Sequence, residues 1–238
     1  MRPTWGELRA RAEERVRRPA EARWLMAEVS GFGAAETAPA DPEPAPSRAV
    51  RRLDELLSRL EAGEPLQYVL GSWSFRGIDL VVDPRVLIPR PETEITAEIA
   101  IAEAAGTGKR TGRAEVWTGA VTSYTVADLG TGSGALALAL ASELPDAEVW
   151  ATDASLDALA VARANVVGAG STGVRVRLAE GSWYGALPPH RRGELTLIVS
   201  NPPYVAEHET LPPEVAEYEP REALVSGPTG LEAIEIVV

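Results

Sequence analysis

The sequence contains no cysteine, so disulfide bonds, thiolate metal centres and cysteine nucleophiles are all excluded. Histidine is nearly as scarce. His190 and His208 are the only two, and they stand far apart among polar neighbours. Neither a histidine metal site nor a catalytic dyad is expected, and no metal is assigned. No apolar run approaches the roughly 18 residues that a membrane-spanning helix needs. The longest, residues 135–141, is short and rich in alanine. Residues 1–18 alternate charged and apolar side chains without an apolar stretch, so no signal peptide is visible. These absences fit a cytoplasmic protein without membrane contact. Positive charge is also in short supply: 23 Lys and Arg face 35 Asp and Glu, a net charge of −12. Such a surface repels a phosphate backbone and speaks against direct nucleic-acid binding.

The N-terminus runs against this balance, with seven Arg against four Glu in residues 1–24. A solvated helix face is the plainer reading and a docking patch for an RNA-rich partner the sharper one. At 238 residues and 45% apolar composition, the chain can build one large domain, or a full domain and a small one.

Apolar residues at helical spacing predict two short helices over residues 5–31, stopped by Gly31 and Gly33. Residues 34–46 are rich in proline and alanine and read as a loop or mobile linker. Ser47 is the expected N-cap of a third helix whose apolar face is Val50, Leu53, Leu56, Leu57 and Leu60, ended by Gly63 and Pro65. Residues 72–82 alternate around Arg76-Gly77 and predict a hairpin. Pro91 sits where a helix running to about residue 105 begins, and residues 106–119 read as a second loop.

From residue 123 the rhythm becomes strand, helix, strand, helix. Strands are expected near 124–128, 147–152, 173–178 and 195–200, with helices near 134–143 and 155–167. That order predicts an α/β fold with a parallel sheet. The expected organisation is a helical domain at residues 1–70, a hairpin and connecting helix at 71–106, and an α/β domain at 107–238. Four parallel strands without a closing pair would leave an apolar edge uncovered, so the chain reads as a fragment of a longer protein.

Two segments carry chemistry. In TVADLGTGSGALALAL, residues 125–140, an apolar strand ends at Asp128 and an alanine-leucine helix follows Gly130, Gly132 and Gly134. Glycine permits the sharp turn and close backbone approach to a ligand, and the helix N-terminus offers N–H groups to an anionic group. The pattern suits S-adenosyl-L-methionine, and because Gly130, Gly132 and Ala135 also satisfy the dinucleotide spacing, it suits a nicotinamide or flavin nucleotide too. Asp153, at the tip of the next strand, suits ribose hydroxyls in either case; otherwise it is a helix cap, a role Ser155 could fill.

The second segment is Asn201-Pro202-Pro203-Tyr204, after the fourth strand, where ligands of open parallel sheets sit. Asn201 and Pro202 each precede a proline, and both prolines have fixed φ, so the bend is stiff. The prolines have no N–H and present only carbonyls, and Asn201 adds a side-chain carbonyl. Together these can accept both hydrogens of an NH₂ group, while Tyr204 offers a ring to its planar face. The predicted acceptor is therefore a planar amide-like nitrogen, with Asn201, Pro202 and Tyr204 as catalytic residues and Pro203 completing the substrate site. The methyl donor lies alongside, with Asn201 bordering it as well.

With these segments in view, the sequence resembles the protein-(glutamine-N) methyltransferases of the peptide chain release factor type. The resemblance runs from about residue 5 to the end and rests on PLQYVLGSWSF (65–75), VLIPRPETE (86–94), DLGTGSG (128–134), TDASLDAL (152–159), SNPPY (200–204) and EPREALVSGPTGL (219–231). It implies a helical substrate-recognition domain before a class I methyltransferase domain, and methylation of the glutamine in the Gly-Gly-Gln loop of a release factor, the expected protein partner of a monomeric enzyme. It further implies that Gly130, Thr131, Gly132, Ser133 and Gly134 cradle the methionine part of S-adenosyl-L-methionine, that Asp153 holds the ribose, and that Trp183 lies beside the adenine. Arg90, Glu92 and Glu94 match a family segment near the active site. Ser182 departs from the acid that relatives carry before the tryptophan, and the family continues for several tens of residues. Rival readings are a ribosomal-protein glutamine methyltransferase, an adenine-N⁶ methyltransferase, and a non-catalytic remnant.

Overall fold

The computed structural model describes residues 2–31, 41–110, 124–191 and 193–238. They fall into two compact units, one formed by residues 1–71 with Pro212–Tyr218 and the other by Ser72–Leu211 with Glu219–Val238. Among the described residues no helix is long and apolar enough to cross a membrane.

The first unit is helical. Helices α1 (Trp5–Arg15) and α2 (Pro19–Ser30) occupy the predicted stretch. Thr4 and Glu7 close α1 with a capping box, and Gly31, in the left-handed region, ends α2. Helix α3 (Ser47–Glu61) presents Leu53, Leu56 and Leu57 to a core shared with Leu8, Leu25 and Val69. Its N-cap is Pro46 rather than Ser47, which enters the helix as its first residue.

A five-residue helix α4 (Leu66–Leu70), which periodicity is too short to reveal, follows. It is held by Arg59, whose guanidinium donates to Glu64 Oε2 at 2.7 Å and to the carbonyls of Tyr68 and Val69 at 2.9 and 3.0 Å. Of the expected loop or linker, residues 34–40 lie outside the described residues, as does the expected helix stop Gly33, and residues 41–46 form a loop that is no loose tether. Trp5 donates to the Glu43 carbonyl, Ala45 to that of Pro3, and Ala45 is buried. Arg9, Arg11 and Arg15 pair with Asp41, Asp54 and Glu61 at 2.5–2.6 Å, so much of the N-terminal positive charge is balanced within the unit.

The second unit opens with the hairpin β1 (Ser72–Phe75) and β2 (Ile78–Val81). Its turn residues Arg76 and Gly77 have φ of 48° and 75°, the paired positive values that match strand twist. Helix α5 (Pro91–Arg110) begins at the predicted proline and runs past its expected end. Residues 106–110 are thus helical rather than loop, and the rest of that expected loop, 111–119, lies outside the described residues.

The four predicted strands are β3 (Tyr124–Leu129), β4 (Ala147–Asp153), β5 (Val176–Glu180) and β6 (Leu195–Ser200), all parallel in the order β5-β4-β3-β6, with β5 starting later than expected because Gly173–Arg175 form a 3-10 turn. Helix α6 (Ala135–Glu143) has every residue from Ala135 to Ala141 buried. It lies between the sheet on one side and β2 and α5 on the other, so an apolar stripe alone would not suffice. Helix α7 (Leu156–Gly168) packs on β4 and β5 and is capped by the Ser155 hydroxyl, which accepts from Ala158 N–H at 3.2 Å. Ser155→Ala is expected to lower stability by about 1 kcal/mol in urea denaturation. After β6 come the short helix α8 (Pro213–Ala216), which belongs to the first unit, and α9 (Glu232–Val237).

Candidate active site

The carboxyl ends of β3, β4 and β6 define the site. Leu129 is in register with Thr152 on one side and Ser200 on the other, so the turns that follow these strands emerge together. The Ser200 hydroxyl donates to the Leu129 carbonyl at 2.6 Å and ties two of the strand ends directly. Above them opens a cavity of about 230 Å³. Its lining includes Gly130, Thr131, Gly132, Ser133, Asp153, Trp183, Asn201 and Pro203, so the glycine turn and the Asn-Pro-Pro bend face one space.

The glycine turn is built for close approach. Gly130 and Gly132 have φ of 74° and 55°, values that side chains with a Cβ seldom tolerate. The N–H groups of Gly130 and Thr131 donate to the Thr152 carbonyl at 2.9 and 2.8 Å, which clips the turn to β4. Asp153 is equally well placed. Its Oδ2 accepts from Gly132 N–H at 2.8 Å and its Oδ1 from Ser155 N–H at 2.9 Å. With Ser155 serving as the helix cap, the Asp153 carboxylate keeps lone pairs on both oxygens for a ligand's hydroxyls. Trp183, half-buried at φ 47°, packs with Ala127, Leu129 and Leu187, and its ring edge lies 3.7 Å from where a Cβ on Gly130 would stand.

Beneath the turn lies Asp128, fully buried. Its Oδ2 accepts from the Thr131 hydroxyl at 2.6 Å and from Ala137 N–H at 3.1 Å, so one carboxylate braces both the turn and the first turn of α6. Its Oδ1 has no partner among the described residues. Removal from water pushes the carboxyl up to about 7; the two hydrogen bonds offset part of that rise and the nearby Asp153 charge adds to it. Asn165 braces the turn from α7. Its side chain exchanges two hydrogen bonds with the Val81 backbone at 2.7 and 3.0 Å and donates to the Ser133 carbonyl at 2.8 Å, joining β2 to the glycine turn.

The Asn-Pro-Pro-Tyr bend is held from two directions. Asn201 Nδ2 donates to the buried Thr93 hydroxyl at 3.3 Å, leaving Oδ1 as its available acceptor. Downstream, Val205 donates to the Leu224 carbonyl and accepts from Ser226 N–H, and Glu207 donates to the Gly227 carbonyl. Gly230, at φ 80°, is pressed so close that a Cβ there would lie 2.6 Å from the Tyr204 carbonyl oxygen. Gly134, Pro202 and Tyr204 do not line the cavity, and Tyr204 is 63% exposed.

Arg90 ion-pairs with buried Glu219 at 2.5 Å. Glu94 instead accepts from Arg76 N–H at the hairpin turn, and Glu92 is solvent-exposed. Sequence reasoning missed Thr93, Asn165 and Glu219. Thr93 and Glu219 do lie within the PETE and EPREAL strings quoted above, but no local pattern marked either. Among the described residues no group of His, Asp and Glu could hold a metal ion.

A glycine turn and an Asn-Pro-Pro-Tyr bend sharing one cavity at the carboxyl end of a parallel sheet define an α/β methyltransferase. Residues 117–217 match the Methyltransferase small domain family, and residues 4–71 match the PrmC N-terminal domain. The chain is 39% identical over 225 residues to a release factor glutamine methyltransferase of Burkholderia pseudomallei, covering 92% of this chain and 72% of the relative. It is 38% identical over 237 residues to one of Geobacter sulfurreducens, covering 99% and 75%. A third, of Bordetella pertussis, is 40% identical over 215 residues, covering 90% and 73%. The chain belongs to the release factor glutamine methyltransferase family.

Proposed function

We propose that this chain transfers a methyl group from S-adenosyl-L-methionine to the side-chain amide nitrogen of the glutamine in the Gly-Gly-Gln loop of a peptide chain release factor. The observation that carries the reading is the shared cavity: Gly130, Gly132 and Asp153 line one part of it and Asn201 and Pro203 another. Bound there, the cofactor would supply an electrophilic sulfonium methyl. The residues present fit it. The positive-φ glycines give backbone access, the Asp153 carboxylate retains acceptor capacity for a ribose diol, and the Trp183 ring offers an apolar face for a base.

An amide nitrogen is a weak nucleophile because its lone pair is delocalised into the carbonyl. The remedy available to this chain is positioning and polarisation. Asn201 Oδ1 and a backbone carbonyl of the bend would accept the two amide hydrogens and turn the nitrogen toward the methyl. The nitrogen would take the methyl carbon, the electron pair of the carbon–sulfur bond staying with the bound cofactor, and would then lose a proton to water. No strong base is required at the bend if that proton leaves last. The reading is of a monomer acting on a protein in the cytoplasm, without nucleic-acid or membrane contact, and the net charge of −12 supports the part that concerns nucleic acid.

The test is methyl transfer from labelled cofactor to recombinant release factor, alongside a variant in which the Gly-Gly-Gln glutamine is alanine. Label is expected on the first and not on the second. Equal labelling of both would remove this glutamine as the acceptor.

A further inference from the structure

We propose that Thr93 is a positioning residue for methyl transfer, setting the orientation of the Asn201 amide, and that buried Glu219 anchors the segment that carries it. The proposal rests on the function proposed above. Asparagine presents an oxygen and an NH₂ on opposite sides of one amide plane, and the two are nearly equal in shape. For an acceptor NH₂ only the oxygen is useful; an Asn201 turned the other way would face a donor with a donor. Thr93 Oγ1 receives Asn201 Nδ2 at 3.3 Å, and that contact directs Oδ1 elsewhere. Thr93 is 7% exposed and lines the same cavity as Asn201, so little water competes for its hydroxyl.

Thr93 can serve this way because its backbone is stiff. Pro89 and Pro91 fix φ on either side of Arg90, and Ile88 and Arg90, each preceding a proline, are restricted as well. Thr93 N–H donates to the Arg90 carbonyl at 3.0 Å in the first turn of α5. Glu219, with its side chain 1% exposed, then grips the segment at two points. One oxygen accepts from Ile88 N–H at 3.2 Å and the other from the Arg90 guanidinium at 2.5 Å. A buried carboxylate is costly unless its charge is matched, and these two donors match it. Glu219 belongs to EPREAL, whose next residues, Pro220, Glu222 and Ala223, line the cavity, so the clamp joins two of its walls.

The test compares Thr93→Val, Thr93→Ser and Glu219→Gln with the unaltered chain, using labelled transfer to release factor for kcat and KM and calorimetry with S-adenosylhomocysteine for cofactor affinity. Valine keeps the shape of threonine and removes the hydroxyl. Thr93→Val is expected to lower kcat about 30-fold, in line with the cost of a misplaced reacting group, with analogue affinity unchanged. Thr93→Ser is expected to recover most of the rate. Glu219→Gln keeps the shape and one acceptor but releases Arg90, and is expected to lower kcat about tenfold with the analogue again bound normally. Thr93→Val at the unaltered kcat, or Thr93→Ser as impaired as Thr93→Val, would overturn the positioning role while leaving the proposed function intact. An unaltered chain that moves no label to release factor would overturn both.

Discussion

Asn201→Ala is expected to lower kcat by about 10³-fold, the scale for losing a preorganised polar contact to the reacting group. Analogue affinity should change by less than about threefold in calorimetry, because Asp153 and the glycine turn hold that part of the cavity independently. The asymmetry follows from the geometry. Asn201 stands at the end of β6, its Nδ2 is engaged by Thr93, and its oxygen is the group free to meet an NH₂. Asn201→Asp is a sharper version: it keeps an acceptor but loses the bond to Thr93 as a donor and adds a charge. Parallel loss of turnover and of analogue binding in Asn201→Ala would place this residue in the cofactor site rather than at the acceptor.

Stability is expected to fall as pH rises toward neutrality, and Asp128 is the reason. Its carboxyl has an ordinary value of 3.8 and is pushed up to about 7 in the folded protein, so between these values the native state holds a proton that the unfolded chain has released. Folding is then favoured at the lower pH, and the contribution is lost as pH climbs through about 7. Between pH 5 and pH 8 the loss is on the order of 3 kcal/mol. Asp128→Asn keeps an oxygen to accept from Thr131 and Ala137 and cannot ionise. Urea denaturation at the two pH values should therefore show the variant gaining on the unaltered protein by roughly that amount at pH 8. Identical pH dependence in both proteins would mean that Asp128 is not the titrating group.

Much of the site was legible because its chemistry is written in consecutive residues. Three closely spaced glycines after an apolar strand demand a turn, and the structure gives Gly130, Gly132 and Gly134 positive φ. Two adjacent prolines after Asn201 dictate a bend without N–H donors wherever it sits. Strand and helix positions in the sheet followed from periodicity, and the register of Leu129 beside Ser200 then carries both turns to one cavity.

The residues that brace these turns were not legible. Asn201 meets Thr93 across 108 positions, Ile88 meets Glu219 across 131, and Asn165 meets Val81 across 84. Each is a polar side chain whose role depends on which distant backbone it reaches, and a single sequence leaves that open. Residues 41–46 are loop, as read, but an anchored one rather than a mobile linker, for a related reason. Proline-rich composition describes how a segment behaves alone, whereas Ala45 is buried by tertiary contact.

By itself, then, the sequence determined the order of strands and helices, the glycine turn, the donor-free bend and the family that these motifs define. Only the tertiary structure decided that Asp128 is buried beneath the turn, that Asn201 donates to Thr93, and that Glu219 accepts from Ile88 and Arg90. Backbone conformation is governed by neighbours along the chain. Burial and side-chain pairing are governed by neighbours in space, which exist only once the sheet has assembled.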